Sequence, residues 1–155
     1  MRALRSLAFY AAFYGGSLLI VLACIATLLL ASRETFRSTV HSWSAWQRLC
    51  CRHLLGITVR VEGNLPEGPV LVALKHESFF EAIDLPQLLD TPGVFAKVEL
   101  MRIPLWGLAG RRYGLVSVER DQGARALRHM LGEARALVAQ GRPLAIFPEG
   151  TRVPH

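Results

Sequence analysis

The stretch Val70-Leu71-Val72-Ala73-Leu74-Lys75-His76-Glu77-Ser78-Phe79-Phe80-Glu81 decides the fold. Its first five residues form a continuous apolar run, which is typical of a strand buried on both faces of a parallel sheet. The polar residues that follow lie where such a strand ends, and functional groups of open α/β sheets collect at that edge. The segment from Phe79 to Leu89 then predicts a helix.

The chain beyond this stretch continues to alternate between strands and helices. Three apolar runs and one alternating run predict further strands. These strands are Ile57 to Val61, Val94 to Lys97, Leu115 to Val118 and Leu144 to Phe147. An apolar stripe predicts a helix over Ala124 to Gln140, and Leu100 to Gly110 predicts a loop or a broken helix. The alternation indicates an α/β fold with a mostly parallel sheet flanked by helices.

The amino-terminal segment is strongly apolar. From Ser6 to Ser32 the chain carries no charged residue, and a helix of this length spans the hydrocarbon core of a bilayer. A cleaved signal peptide is the alternative, because Arg2 and Arg5 precede the run, but the run exceeds the usual length of a signal-peptide core. We therefore expect residues 1–32 to form a retained membrane helix that crosses the bilayer or enters one leaflet.

A second helix is expected over residues 33–55. Its aromatic and apolar residues recur at helical spacing and its other face is basic, which suits a helix in the membrane interface or one packed on the folded domain. More arginines follow the apolar run than precede it, which places the downstream domain on the cytoplasmic side. Cys50 and Cys51 at its end are explained by palmitoylation or by simple packing.

Composition and charge narrow the class of protein. The chain has 155 residues, of which 52% are hydrophobic, and a formal net charge of +6. A basic protein beside a membrane is drawn to anionic lipid. The sequence has no zinc-finger spacing, no RNP string and no long run of Lys and Arg, so we do not expect nucleic-acid binding.

His76 is the residue best suited to proton transfer. A neutral imidazole accepts a proton near neutral pH, and a neighbouring carboxylate fixes its tautomer. Glu81 and Asp84 are both within reach, and the spacing does not choose between them. Ser78 is either a nucleophile or, with Glu81 three residues later, the cap of the helix. The alternative to a catalytic role is a structural pairing of histidine and carboxylate.

The string Phe147-Pro148-Glu149-Gly150-Thr151-Arg152 follows the last predicted strand. Its Pro and Gly force a turn, so its Glu and Arg side chains project into one crevice. The guanidinium group of Arg binds phosphate through paired donors. Lys97 and Arg120 also follow predicted strands, and together with Arg152 they would surround a phosphate. Taken singly, each is an ordinary surface charge.

Four blocks, in order along the chain, resemble the lysophosphatidic acid acyltransferase family of membrane glycerolipid acyltransferases. His76 to Glu81 resembles the family's H-x4-D motif, with Glu where Asp is usual. Ala96 to Gly107 resembles its K-x-E-L…P…G segment, and Gly114 to Arg120 resembles its second motif. Phe147 to Arg152 reproduces the F-P-E-G-T-R motif in full. The resemblance extends from Gly56 to Arg152, and the ordered combination is specific.

The resemblance implies a reaction. His76 would take the proton from the sn-2 hydroxyl of lysophosphatidic acid, and the oxygen would attack the thioester of acyl-CoA or acyl carrier protein, giving phosphatidic acid. The resemblance implies no acyl-enzyme, no metal and no bound cofactor. Glu81 would orient His76. The residues implied for the glycerophosphate site are Lys97, Arg120, Glu149, Gly150, Thr151 and Arg152.

The resemblance also implies a domain organisation and leaves alternatives. Residues 56–155 would form the acyltransferase domain, incomplete at its carboxyl end because the family's fourth motif, a Pro-bearing apolar stretch, does not follow. The acceptor would alternatively be glycerol 3-phosphate or another lysophospholipid. A non-catalytic, membrane-tethered lipid-binding fragment is the alternative from another class.

Overall fold

The chain divides into two units, each with its own internal packing. A computed structural model describes residues 2–65, 67–119 and 123–152. The helical unit comprises Met1–Leu65 and Ile83–Leu88, and the sheet unit comprises Pro66–Ala82 and Leu89–His155. Helix α3, at Phe80–Leu88, therefore contributes residues to both units.

The helical unit is built from two long helices and a π-helical turn. Helix α1 covers Arg2–Leu30, helix α2 covers Arg33–Cys50, and the π-helical turn covers Cys51–Leu55. Ser32 begins α2 by accepting a hydrogen bond from the Thr35 N–H at 3.1 Å, the usual role of a serine at this position.

Helix α1 is the one helix in the described part of the chain that is long and apolar enough to cross a membrane. Many of its large apolar side chains are exposed, among them Leu18 and Leu22. Its contacts with α2 use small residues instead. The Trp43 indole N–H donates to Ser17 Oγ at 2.9 Å, and the Trp46 indole occupies the space where Gly16 would carry a Cβ.

The sheet unit contains a four-stranded sheet in which every pair of neighbouring strands is parallel, in the order β1-β4-β2-β3. The strands are β1 at Leu71–Ala73, β2 at Gly93–Lys97, β3 at Leu115–Val118 and β4 at Leu144–Ile146. This confirms the predicted parallel sheet with flanking helices. Because all four strands run the same way, their carboxyl ends share one edge.

Helices connect and cover the strands of the sheet unit. Besides α3, they are α4 at Val98–Met101, α5 at Trp106–Tyr113 and α6 at Gly123–Val138. The predicted broken helix is thus two short helices, separated near Pro104. Helix α6 supplies Ala134 and Leu137 to a core that contains Val116 and Leu144 of the sheet. Part of the predicted stripe, including Leu127, remains exposed.

A buried arginine holds the loops that lead into two strands. The Arg142 guanidinium donates to the backbone oxygens of Thr91 at 2.6 Å, Pro92 at 3.1 Å and Tyr113 at 2.7 Å. Thr91 and Pro92 precede β2, and Tyr113 precedes β3. Carbonyl groups that would otherwise be buried without a donor are satisfied in this way.

One strand prediction is wrong, and one predicted strand is less buried than expected. The segment from Ile57 to Val61 forms no strand, and both end residues are about half exposed, because alternation alone supplies neither a neighbouring strand nor a face to bury. Strand β1 forms, but it pairs only with β4 among the described strands. Leu71 is 62% exposed, so the strand is not buried on both faces.

Candidate active site

His76 lies at the carboxyl edge of the sheet, beside the turn that follows β4. Ala73 of β1 is in register with Ile146 of β4, so the residues that follow each strand emerge side by side. The His76 ring stacks on the Phe147 ring with centroids 4.4 Å apart and an interplanar angle of 28°. The two polar strings singled out in the sequence therefore meet.

The Glu81 carboxylate is the centre of a hydrogen-bond cluster around His76. Its Oε1 lies 2.9 Å from His76 Nδ1 and accepts the backbone N–H groups of Glu77 and Ser78, each at 2.6 Å. Its Oε2 accepts the Ser78 hydroxyl at 2.8 Å. These donors fix both oxygens, so the carboxylate cannot rotate away from the imidazole without breaking several bonds.

This cluster keeps Glu81 ionised. Burial by itself would raise the pKa of Glu81, but hydrogen bonds from the Ser78 backbone, the Ser78 hydroxyl and His76 outweigh it and lower the pKa to about 2. An ionised carboxylate only accepts hydrogen bonds. In neutral His76 the proton must therefore sit on Nδ1, which leaves Nε2 with a lone pair. No described residue forms a hydrogen bond with Nε2.

Ser78 caps helix α3. Its Oγ accepts the Phe80 N–H at 3.0 Å and donates to Glu81, while its own N–H is bound by the same carboxylate. This is the reciprocal arrangement of a capping box. Glu81 takes part in the cap and in the histidine contact at once: Oε1 lies against His76 Nδ1 and accepts the Ser78 N–H, and Oε2 accepts the Ser78 hydroxyl.

Asp84, the rival carboxylate, is bound elsewhere. Arg48 donates to it twice, from Nε to Oδ1 at 2.5 Å and from Nη2 to Oδ2 at 2.8 Å. This ion pair lies wholly within the helical unit. The carboxylate that contacts Nδ1 of the His76 ring is that of Glu81.

The turn after β4 places a cation over an aromatic ring next to the His76–Glu81 pair. The Arg152 guanidinium carbon lies 4.6 Å from the centroid of the Phe79 ring, a cation–π distance. Phe79 is 67% exposed. Gly150 adopts a φ of 62°, which favours glycine, and its N–H donates to the Phe147 oxygen at 2.9 Å.

The other predicted binding residues are placed by the sheet. Lys97 ends β2 at the same carboxyl edge and is exposed, as are Glu149 and Thr151 on the turn. Arg120 lies outside the described residues. The sequence analysis did not predict that Phe147 stacks on His76 or that Phe79 lies beneath Arg152, because both residues were assigned to apolar segments. Their positions inside the two motifs could have indicated these contacts.

The two adjacent cysteines at the end of α2 are buried. Burial raises the pKa of both thiols, and at Cys51 the neighbouring Cys50 and Asp84 add to the effect. A buried, protonated thiol is a poor nucleophile. The geometry favours packing over acylation of these side chains.

Comparison with known proteins places this site in context. A family model described as Acyltransferase matches residues 56–155. A 1-acyl-sn-glycerol-3-phosphate acyltransferase from Pseudomonas aeruginosa is 30% identical over 161 residues, an alignment that covers 99% of this chain and 61% of that protein. A lyso-ornithine lipid O-acyltransferase from Rhizobium meliloti is 36% identical over 107 residues, with 68% of this chain and 36% of that protein covered.

A solved structure shows the same fold. The crystal structure of the 1-acyl-sn-glycerophosphate acyltransferase PlsC from Thermotoga maritima superposes with a TM-score of 0.68 at 24% identity, covering 99% of this chain and 64% of that chain. This chain thus spans about three fifths of the length of the Pseudomonas aeruginosa and Thermotoga maritima proteins.

Proposed function

The chain belongs to the acyltransferase family, and we propose that it moves a fatty acyl group from a thioester to the sn-2 hydroxyl of 1-acyl-sn-glycerol 3-phosphate. The product is phosphatidic acid. The observation that carries the proposal is the His76–Glu81 pair, at 2.9 Å, beside the turn that bears Arg152. A base next to an anion-binding turn is what acylation of a phosphorylated alcohol requires.

His76 is the proposed general base. Ionised Glu81 keeps the proton on Nδ1, so Nε2 accepts the proton of the acceptor hydroxyl. Glu81 then faces the imidazolium that forms and stabilises its charge, as the carboxylate does in a Ser-His-Asp triad. The stack on Phe147 limits rotation of the ring and keeps Nε2 directed toward the acceptor.

The acyl group is transferred directly in this scheme. The deprotonated acceptor oxygen attacks the thioester carbonyl and forms a C–O bond, and collapse of the tetrahedral intermediate breaks the C–S bond. The thiolate of coenzyme A or acyl carrier protein leaves and takes the proton from Nε2. An acyl-enzyme is not needed, and the Ser78 hydroxyl serves as the cap of α3, where it accepts the Phe80 N–H and donates to Glu81.

The phosphate of the acceptor is proposed to bind the turn after β4 and the neighbouring strand ends. Arg152 supplies paired N–H donors suited to phosphate, and the Phe79 ring beneath it restricts its motion. Lys97 lies at the same edge of the sheet. Arg120, Glu149, Gly150 and Thr151 complete the set that the family resemblance implies.

We also propose that α1 attaches the protein to a membrane. Its exposed apolar side chains and its 29-residue length, about 43 Å at 1.5 Å per residue, support this. The arginine excess after α1 favours a cytoplasmic catalytic domain. Release of the protein by alkaline carbonate from isolated membranes would contradict attachment by α1.

A different acceptor is the second candidate. The match to a lyso-ornithine lipid O-acyltransferase favours this candidate. Such an acceptor carries an amino-acid headgroup in place of a glycerophosphate. Arg152 separates the candidates: Arg152→Gln should lower turnover of a phosphorylated acceptor far more than turnover of a lyso-ornithine lipid.

The experiment is product analysis by mass spectrometry with the protein in detergent micelles. Lysophosphatidic acid, glycerol 3-phosphate and lyso-ornithine lipid are each offered with acyl-CoA and with acyl carrier protein. Phosphatidic acid as the dominant product supports the proposal. Acylation of another acceptor alone moves the assignment to that acceptor, and binding of lysophosphatidic acid without any acyl transfer supports the non-catalytic alternative.

A further inference from the structure

Helix α3 carries Glu81 in its first turn but is a weak helix by itself. It has nine residues, with Pro86 in its interior. Proline lacks the N–H that would bond the Ala82 carbonyl, and isolated helices of this length are unstable in water. The position of Glu81 therefore depends on what holds α3 in place.

An ion pair holds the middle of α3. Arg48 of α2 donates two parallel hydrogen bonds to the Asp84 carboxylate, of 2.5 and 2.8 Å. The Asp84 side chain is 2% exposed and that of Arg48 is 30% exposed. A bidentate pair around a buried carboxylate fixes orientation as well as distance.

Two further bonds join the same faces of the two helices. The Ser44 hydroxyl donates to the Ile83 backbone oxygen at 2.6 Å, and the Gln87 side chain donates to the His41 backbone oxygen at 3.2 Å. The α2 residues that make these contacts are His41, Ser44 and Arg48. They are three or four positions apart and therefore lie on one face of the helix. The part of α3 that belongs to the helical unit is thus held at Ile83, Asp84 and Gln87.

We propose that the Arg48–Asp84 ion pair is a positioning element for Glu81. Asp84 follows Glu81 by three residues in one continuous helix, so a fixed Asp84 sets where the Glu81 carboxylate meets His76 and the Glu77 and Ser78 N–H groups. Asp84 acts through Glu81 and does not touch the reacting atoms. The expected kinetic effect rests on the proposed acyl transfer, whereas the structural effect does not.

The direct test is amide hydrogen exchange, followed by NMR on the whole protein in detergent. The N–H groups of Glu77 and Ser78 are held by Glu81, so their exchange reports its position. In Asp84→Asn and in Arg48→Lys, which keeps the charge but not the fork of donors, we expect these two amides to exchange about tenfold faster. The β3 amide of Val116 should be unchanged.

The kinetic test separates positioning from general destabilisation. We expect each variant to lower kcat about tenfold with the KM for the acceptor unchanged, since the misplaced group is the one that assists the base. In a Glu81→Gln background, Asp84→Asn should cost less than about twofold. Leu137→Ala, a core change in α6, is the matched control: it lowers stability without the selective exchange at Glu77 and Ser78.

Each outcome decides something. Unchanged exchange at Glu77 and Ser78 in both variants overturns the inference, and so does equal acceleration at Val116. Equal kcat losses with and without Glu81 also overturn it. If the two amides respond but the wild-type protein transfers no acyl group, the proposed function fails and the positioning role stands.

Discussion

At the scale of single residues, the candidate site depends on one carboxylate used twice. Glu81 caps α3 through Ser78 and holds His76. Substituting Asp by Glu at this motif position, as this chain does, lengthens the side chain by one methylene. The observed 2.9 Å contact with Nδ1 shows that the longer side chain still reaches the imidazole.

The depressed pKa of Glu81 predicts a pH-dependent contribution to stability. The folded pKa is about 2, against an ordinary value of 4.5. Because the folded value is the lower one, the contribution is fully present above the unfolded pKa and is lost as pH falls through the folded pKa. The stability advantage of the wild-type protein over Glu81→Gln should therefore shrink as pH falls from 4.5 to about 2.

Urea denaturation of both proteins at a series of pH values measures this difference. Other carboxyl groups titrate equally in the two proteins, so the subtraction isolates Glu81. A difference that stays flat from pH 5 to pH 2 would show that the hydrogen bonds to Glu81 do not favour its ionised form.

At the scale of elements, the contact between α1 and α2 rests on a glycine. The Trp46 indole fills the space where a Gly16 side chain would lie, whereas a side chain at Gly15 would meet nothing within 4 Å. Both residues lie within α1, so replacement improves helix propensity equally at each. The adjacent pair is therefore a matched comparison.

We expect Gly16→Leu to lower the free energy of unfolding by about 1–3 kcal/mol through overpacking. Gly15→Leu should be neutral or slightly stabilising. Thermal unfolding of both variants in the same detergent tests this. Equal effects of the two substitutions would contradict the packing described for Trp46.

The sheet shows how an edge strand is satisfied. Strand β3 ends the described sheet, and the Ser117 N–H donates to Glu133 of α6 at 2.9 Å. A side chain that occupies an edge donor also blocks the addition of another strand there.

At the scale of the whole molecule, local sequence patterns predicted the features that depend on residues close together in the sequence. The apolar run Leu115 to Val118 predicted β3 without error, and the stripe in α6 predicted its core face at Ala134 and Leu137. The order of strands could not be predicted, because pairing depends on contacts distant in sequence. The expectation that β1 is buried on both faces came from its continuous apolar run, which does not report what packs on each face.

The candidate site shows the same division. His76 and the Phe147 to Arg152 string were predicted from their places after strands. The spacing alone did not decide between Glu81 and Asp84, since Asp84 is held by Arg48, which is 36 residues away in the sequence. The family resemblance implied Glu81. The stack of His76 on Phe147 likewise follows from the adjacency of β1 and β4.

Acyl transfer to lysophosphatidic acid by the wild-type protein and by His76→Ala tests the central claim most directly. General-base catalysis contributes about 10²–10⁴-fold, so the initial rate of phosphatidic acid formation should fall by at least about 10²-fold while lysophosphatidic acid still binds. Wild-type turnover in His76→Ala would contradict the assignment of His76 as the base.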